Sequence, residues 1–248
     1  MMLKGLGKLA WIETKVFVRE PLGVIGSLGV PVLIFVLFGR ALGGDARDAA
    51  ALEAAPFNLT IFAAILIALG AVQSLIAIIA IYREGGILKR LRATPLSPVT
   101  ILGAHVVVKL GFTLVSLFLL VLAGRRVFPG AMEVNLVSFA GALLLGTLSI
   151  LSLGFVLASL VPTARFAQPL GAVILYPMLA ISGLFMPVER LPDGLRYVSQ
   201  ILPTTHAVAL LEGVWDGSGW GAHLGNLAGL LMVFVVCLAI SSRVFRWE

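Results

Sequence analysis

His105 and Lys109 stand four residues apart inside a long apolar stretch. That spacing puts both side chains on one helical face. Lys109 lies about ten residues past Val99, on the order of 15 Å along a helix at the usual rise. An ammonium that deep in apolar sequence either lines an aqueous path or snorkels to the nearer boundary, and the residues alone leave both open. His105, His206 and His223 are the only histidines. Two of them are expected on the outer side and one within a span, so no shared metal site is expected. Glu189, Asp193, Glu212 and Asp216 are spread over many residues, where an intramembrane enzyme would show denser acids. Neither Gly43-Gly44 nor Gly85-Gly86 leads into the Gly-Lys-Ser/Thr ending that cradles nucleotide phosphates. The expectation is a chain with no catalytic residue, no metal and no cofactor of its own.

The most charged short segment is Glu84–Pro98, EGGILKRLRATPLSP. Gly85 and Gly86 can end the helix before them. Ile87, Leu88 and Leu91 then place an apolar stripe beside Lys89, Arg90 and Arg92. Pro95 and Pro98 stop that stripe, because proline lacks the amide that helix continuation needs. Two descriptions fit equally: a short helix presented to a partner, or a solvated loop whose charges set topology.

The surroundings that must position these residues are membrane-spanning. Of the 248 residues, 60% are hydrophobic and 12% charged, with a mean hydropathy of +1.08. Ordinary soluble domains carry about 25% charged residues, so too little polar surface exists here to face water all round. Apolar runs long enough to cross a bilayer fall near 22–42, 57–81, 99–124, 136–161, 166–186 and 222–242, with Pro31 inside the first. Residues 1–20 carry Leu3, Leu6, Leu9, Ile12, Val16 and Phe17 at helical spacing, with Lys4, Lys8, Lys15, Arg19 and Trp11 among them, the pattern of a helix lying in the membrane surface. Gly141, Gly146 and Gly154 predict close helix packing in the fourth span, while Gln73, Gln168 and Ser149 suit contacts between helices. The single Cys237, in the sixth span, reads as a small buried hydrophobe.

Charge sets the orientation. One side of the six spans carries eleven Lys and Arg against four acids, a net of +7. The other carries six against eight, a net of −2. Basic excess marks the cytoplasmic side, so both termini are expected there. The same asymmetry accounts for the pI near 10.0 without nucleic acid, for which no basic-aromatic surface is seen.

YREGGILKRLRATPLSP, residues 82–98, resembles the cytoplasmic segment of type-2 ABC transporter permeases of the drug- and polysaccharide-exporting class. Gly86-Ile87 stands where Gly-Thr is commoner in that family. Residues 182–215 resemble the family's outer segment between the last two spans, through Pro187, Leu191-Pro192 and Leu202-Pro203, with Leu202 in place of a frequent Asn. Arg19-Glu20-Pro21 also fits the family's approach to the first span. The likeness runs along essentially the whole chain, 1–248, as one transmembrane permease domain.

The resemblance implies an all-α, six-transmembrane-helix bundle with an N-terminal interfacial helix, a cytoplasmic coupling helix and an outer re-entrant helical hairpin. It implies that Glu84, Gly85, Gly86, Leu88, Lys89, Arg90, Leu91 and Arg92 couple to an ABC ATPase, which would hold ATP and Mg. Pro187, Leu191, Pro192 and Pro203 would shape an outer gate; His105 and Lys109, from their own position and spacing, are the candidates for a translocation path. Two ATPase copies and a second permease copy, identical or related, would complete an exporter in the bacterial inner membrane. The substrate expected is hydrophobic or amphipathic. The alternative is a secondary transporter or a membrane scaffold without an ATPase.

Overall fold

A computed structural model describes residues 2–43, 58–87, 98–127, 135–161 and 163–244. Every regular element among them is helical. The order is α1 (Met2–Val18), α2 (Pro21–Val24), a π-helical turn (Ile25–Gly29), α3 (Val30–Gly43), α4 (Leu59–Glu84), α5 (Pro98–Val127), α6 (Leu136–Leu160), α7 (Ala164–Ala180), a 3-10 turn (Val188–Arg190), α8 (Asp193–Ile201), α9 (Pro203–Trp215), α10 (Gly219–Ala222) and α11 (Leu224–Val244).

Four helices are long and apolar enough to cross a membrane: Leu59–Glu84, Thr100–Arg126, Leu136–Leu160 and Leu224–Ser241. The two other expected spans are shorter. Ile25–Ala41 is an apolar helix in the 10–17 residue class. α7 has 17 residues and contains Pro169 and Pro177; its helix stops at Ala180, short of the expected 186. A helix of 17 residues is at the lower end of what can span.

α4 and α6 form the centre. Most of α4 is buried, save one stripe that includes Gly70, Gln73, Ser74, Ala77 and Ile78, and α6 packs against α4, α9 and α11. The glycines of α6 explain the closeness. A Cβ on Gly146 would lie 2.9 Å from Ala207 of α9, and one on Gly154 would lie 2.9 Å from Val72 of α4. Side chains at those positions would push the helices apart, so the predicted small-residue packing is present. Ser149 Oγ adds a 2.9 Å hydrogen bond to the Leu230 carbonyl of α11.

The first apolar stretch is not a regular α-helix. Pro31 has no amide to return to the Ser27 carbonyl, and the π-helical turn sits just before it. The hydroxyl of Ser116 on α5 reaches that carbonyl at 3.5 Å. This is how a proline is accommodated inside a bundle in lipid: a neighbouring helix answers the freed backbone group.

The starts of the two central helices, α4 and α6, are capped by asparagine side chains. Asn58 Oδ1 accepts from the Thr60 and Ile61 amides at 3.0 and 3.1 Å, and Asn135 Oδ1 accepts from the Ser138 amide at 3.1 Å. These satisfy amides that lack intrahelical partners.

Candidate functional site

α1 lies against α5, and the face it buries is polar at its centre. Glu13 and Phe17, one turn apart, are buried, whereas Trp11, Ile12, Val16 and Val18 are exposed. The Glu13 carboxylate is hydrogen-bonded on one oxygen and faces a histidine with the other. Tyr82 of α4 donates its hydroxyl to Oε1 at 2.7 Å, and His105 Nδ1 of α5 stands 3.6 Å from Oε2. The Tyr82 and His105 rings meet edge-on with centroids 5.4 Å apart. A buried carboxylate survives only when partnered, and here three helices supply the arrangement.

One turn along α5, Lys109 is buried. Its ammonium donates to Ser74 Oγ of α4 and sits 4.5 Å from the centre of the Phe17 ring, a cation–π contact. Lys109 therefore does not snorkel to the boundary; it turns into the space between α1, α4 and α5. The polar face continues at helical spacing through Thr113 and Ser116, both buried. The Thr113 hydroxyl has no hydrogen-bond partner among the described residues.

Glu13, Phe17, Ser74, His105 and Lys109 line a recess of about 330 Å³, bounded also by Glu20, Gln73 and Gln168. Gln73 Nε2 donates to the backbone carbonyl and to Oε1 of Gln168, both at 2.8 Å, bridging α4 to α7. Gly171, one turn beyond, leaves the room that the Gln73 amide occupies. A smaller space continues inward past Ser74, Lys109 and Thr113 to Ser27 and Ser116. The structure thus brings the predicted pair, His105 and Lys109, to one polar cavity. Sequence reasoning missed Glu13, Tyr82, Ser74, Glu20 and Thr113. The signal for Glu13 was its position one turn before Phe17 on α1 and opposite the polar face of α5.

The predicted coupling segment begins as expected. α4 ends at Glu84, Gly85 caps it, and Gly86 takes φ +64°, a left-handed conformation that favours glycine. Arg83 and Glu84 fix the turn between α6 and α7. Arg83 donates to the Val161 carbonyl at 2.8 Å and to the Ala158 carbonyl at 2.5 Å, while Glu84 Oε2 accepts from the Ala164 amide at 2.8 Å. Leu88, Lys89, Arg90, Leu91 and Arg92 lie outside the described residues.

At the other end of the bundle, Pro187 precedes the 3-10 turn and Leu191 follows it. Pro192 leads into α8 and Pro203 opens α9 at its first turn, where a missing amide is harmless. The four expected gate residues therefore mark the joints of two unlike helices. α8 is exposed apart from Ser199, and α9 is largely buried. Thr204 anchors α9 by donating to the Met178 carbonyl of α7 at 3.1 Å. His206 and His223, far from His105, flank Asn226: His206 Nδ1 is 3.1 Å from its Oδ1, and His223 Nδ1 is 3.2 Å from its Nδ2. No cluster of three metal-ligating side chains occurs among the described residues.

Residues 5–214 match the family described as "ABC-2 type transporter". The chain belongs to that family. The ABC-2 match runs from α1 to the end of α9, so it takes in the recess, the segment after Glu84 and the α8–α9 hairpin. Curated relatives named Nodulation protein J are similar over shorter stretches. That of Rhizobium meliloti (strain 1021) is 29% identical over 89 residues, 36% of this chain and 34% of the relative. That of Neorhizobium galegae is 30% identical over 100 residues, 39% and 38% of the two chains. That of Rhizobium leguminosarum bv. viciae is 26% identical over 99 residues, 40% and 38%. Each match covers little more than a third of the relative's length. As an ABC-2 family member, the chain is the membrane component of a transporter, an ABC transporter permease.

Proposed function

We propose that this permease is the membrane-spanning subunit of an ATP-driven exporter that moves a hydrophobic or amphipathic substrate out of the cytoplasm. ATP and Mg would be held by a separate ABC ATPase present in two copies, and two permease chains, identical or related, would pair. The observation that carries the reading is the family match from residue 5 to 214, which includes the basic segment after Glu84. The charge asymmetry supports placing that segment and both termini in the cytoplasm of a bacterial inner-membrane protein. Closure of the ATPases would push on the segment of Glu84 to Arg92, with Lys89, Arg90 and Arg92 pairing with acids and Leu88 and Leu91 as the apolar anchor. Arg83 and Glu84 tie the start of that segment to the α6–α7 turn, which gives a push a rigid path into two further helices. The bundles would then shift between inward and outward arrangements by differential binding, with His105 and Lys109 facing the path and Pro187, Leu191, Pro192 and Pro203 hinging its outer gate.

The test is ATP-dependent transport by the permease co-expressed with its ATPase, native against an Arg90→Glu plus Leu91→Asp variant. The expected result is a stoichiometric ATPase in the purified complex and, in the variant, poor assembly or hydrolysis uncoupled from transport. If no ATPase copurifies and the variant transports normally, the chain is a secondary transporter and the segment only sets topology.

A further inference from the structure

We infer that the recess between α1, α4 and α5 binds the positively charged head of an amphipathic substrate, and that Glu20 is the residue selecting that charge. This names the substrate class of the proposed exporter and rests on that reading. The recess holds about 330 Å³, within the usual range for small-ligand sites.

Among the described residues, the charged or titratable side chains that line it are Glu13, Glu20, Lys109 and His105. Two carboxylates against one ammonium leave the lining net acidic while His105 is neutral. Glu13 is buried, already accepts from Tyr82 and faces His105. Lys109 is engaged by Ser74 and by the Phe17 ring. Glu20 is different: it is exposed, it lines the same recess as Lys109, and its carboxylate has no hydrogen-bond partner among the described residues. It is the carboxylate left for a ligand.

Two further observations fit an amphiphile. The rim carries Val16 and Ile81, each about half exposed at 48% and 49%, beside a polar floor, so an apolar tail can lie against the mouth with its head inside. The smaller space beside it is lined by Thr113, a residue 2% exposed whose buried hydroxyl is unpartnered among the described residues. A buried polar atom of that kind marks a place for a ligand's polar group or a water.

The experiment uses the full chain in nanodiscs of zwitterionic lipid and a matched pair of fluorescent probes. Both are dansyl-labelled alkyl chains; one ends in trimethylammonium and the other in sulfonate. Binding is read by fluorescence after subtraction of protein-free discs. The ammonium probe should bind at least about fivefold more tightly than the sulfonate, and more weakly at high salt. Glu20→Gln should lower its affinity about fivefold, and Glu20→Lys should abolish or reverse the preference. Because Glu20 is exposed, both variants should melt like the native chain. Equal binding of the two probes, or a preference unchanged by Glu20→Lys, overturns the proposal. The assay contains no ATPase, so failure here leaves the export reading standing, and failure of an ATPase to copurify leaves this result unaffected.

Discussion

Glu84 accepts a hydrogen bond from the Ala164 amide at 2.8 Å, so the last residue of α4 caps the first turn of α7. Its neighbour Arg83 does the opposite for α6, donating to carbonyls at the helix end. The first amides and last carbonyls of a helix lack internal partners and carry partial positive and negative charge respectively. An acid and a base side by side on α4 therefore meet the two dipole ends they suit. Arg83→Ala should destabilise the protein by about 1–3 kcal/mol, the range for hydrogen bonds to a charged group. Glu84→Gln, which keeps an acceptor, should cost less than about 1 kcal/mol. Exchanging the two residues should be worse than either change. Thermal unfolding in detergent measures all three, and a double exchange as stable as the native chain would remove the capping role.

Two glycines seat His206 and His223. A Cβ on Gly213 would run into the His223 ring, and one on Gly229 would lie 2.6 Å from His206 Nε2. Gly213→Ala and Gly229→Ala should each cost about 1–3 kcal/mol through overpacking. Gly225, on the same helix as Gly229, has open space where its Cβ would go. Gly225→Ala should be neutral or stabilising by up to about 1 kcal/mol, as helix propensity dictates. Melting temperatures of the three variants decide it; a loss at Gly225 as large as at Gly229 would mean that propensity and space are not the governing factors.

The carboxyl of Glu212 on α9 is pushed up to about 7, first by burial and then by Asp216 one turn on. A carboxyl with a folded value above its unfolded one favours the fold while protonated. Its contribution is complete below the ordinary value of 4.5 and is lost as pH rises through about 7. The melting temperature should therefore fall by about 2–4 °C between mildly acidic and mildly basic buffer. Glu212→Gln should flatten that slope. An unchanged slope in the variant would assign the pH dependence to other groups.

What the sequence made legible follows from the solvent. The long spans and the His105–Lys109 face could be read because apolar length and helical spacing are local. The packing face of α1 could not, because in lipid an apolar side chain is at home on the outside. Trp11, Ile12 and Val16 make the obvious stripe of α1, yet they are exposed while Glu13 is buried. α11 shows the same inversion: Leu231, Met232, Val235 and Val236 are exposed and Ser241 is buried. In such a helix the polar and small residues report the packed side. The glycines of α6 carried that signal openly, and Glu13 carried it unnoticed among the charges of an interfacial helix. The break at the first apolar stretch was legible as Pro31, but its remedy depended on Ser116, 85 positions away by number, which no local pattern contains.

The Tyr82–Glu13 hydrogen bond of 2.7 Å should be the main tether of α1 to α4. Tyr82→Phe leaves a buried carboxylate with one partner fewer and should cost about 1–3 kcal/mol. Glu13→Gln removes the charge but keeps an acceptor for Tyr82 and a neighbour for His105, so it should cost less. In the Glu13→Gln background, Tyr82→Phe should be milder than in the native chain, because no buried charge is left behind. The double-mutant cycle should therefore give a coupling of about 0.5–3 kcal/mol. Trp11 provides a second readout: it is exposed on α1, and its fluorescence should become more accessible to an aqueous quencher when the tether is cut. Additive stabilities together with unchanged quenching would show that α1 is held by Phe17 and its 4.3 Å ring contact with Phe112, with Glu13 only accommodated beside it.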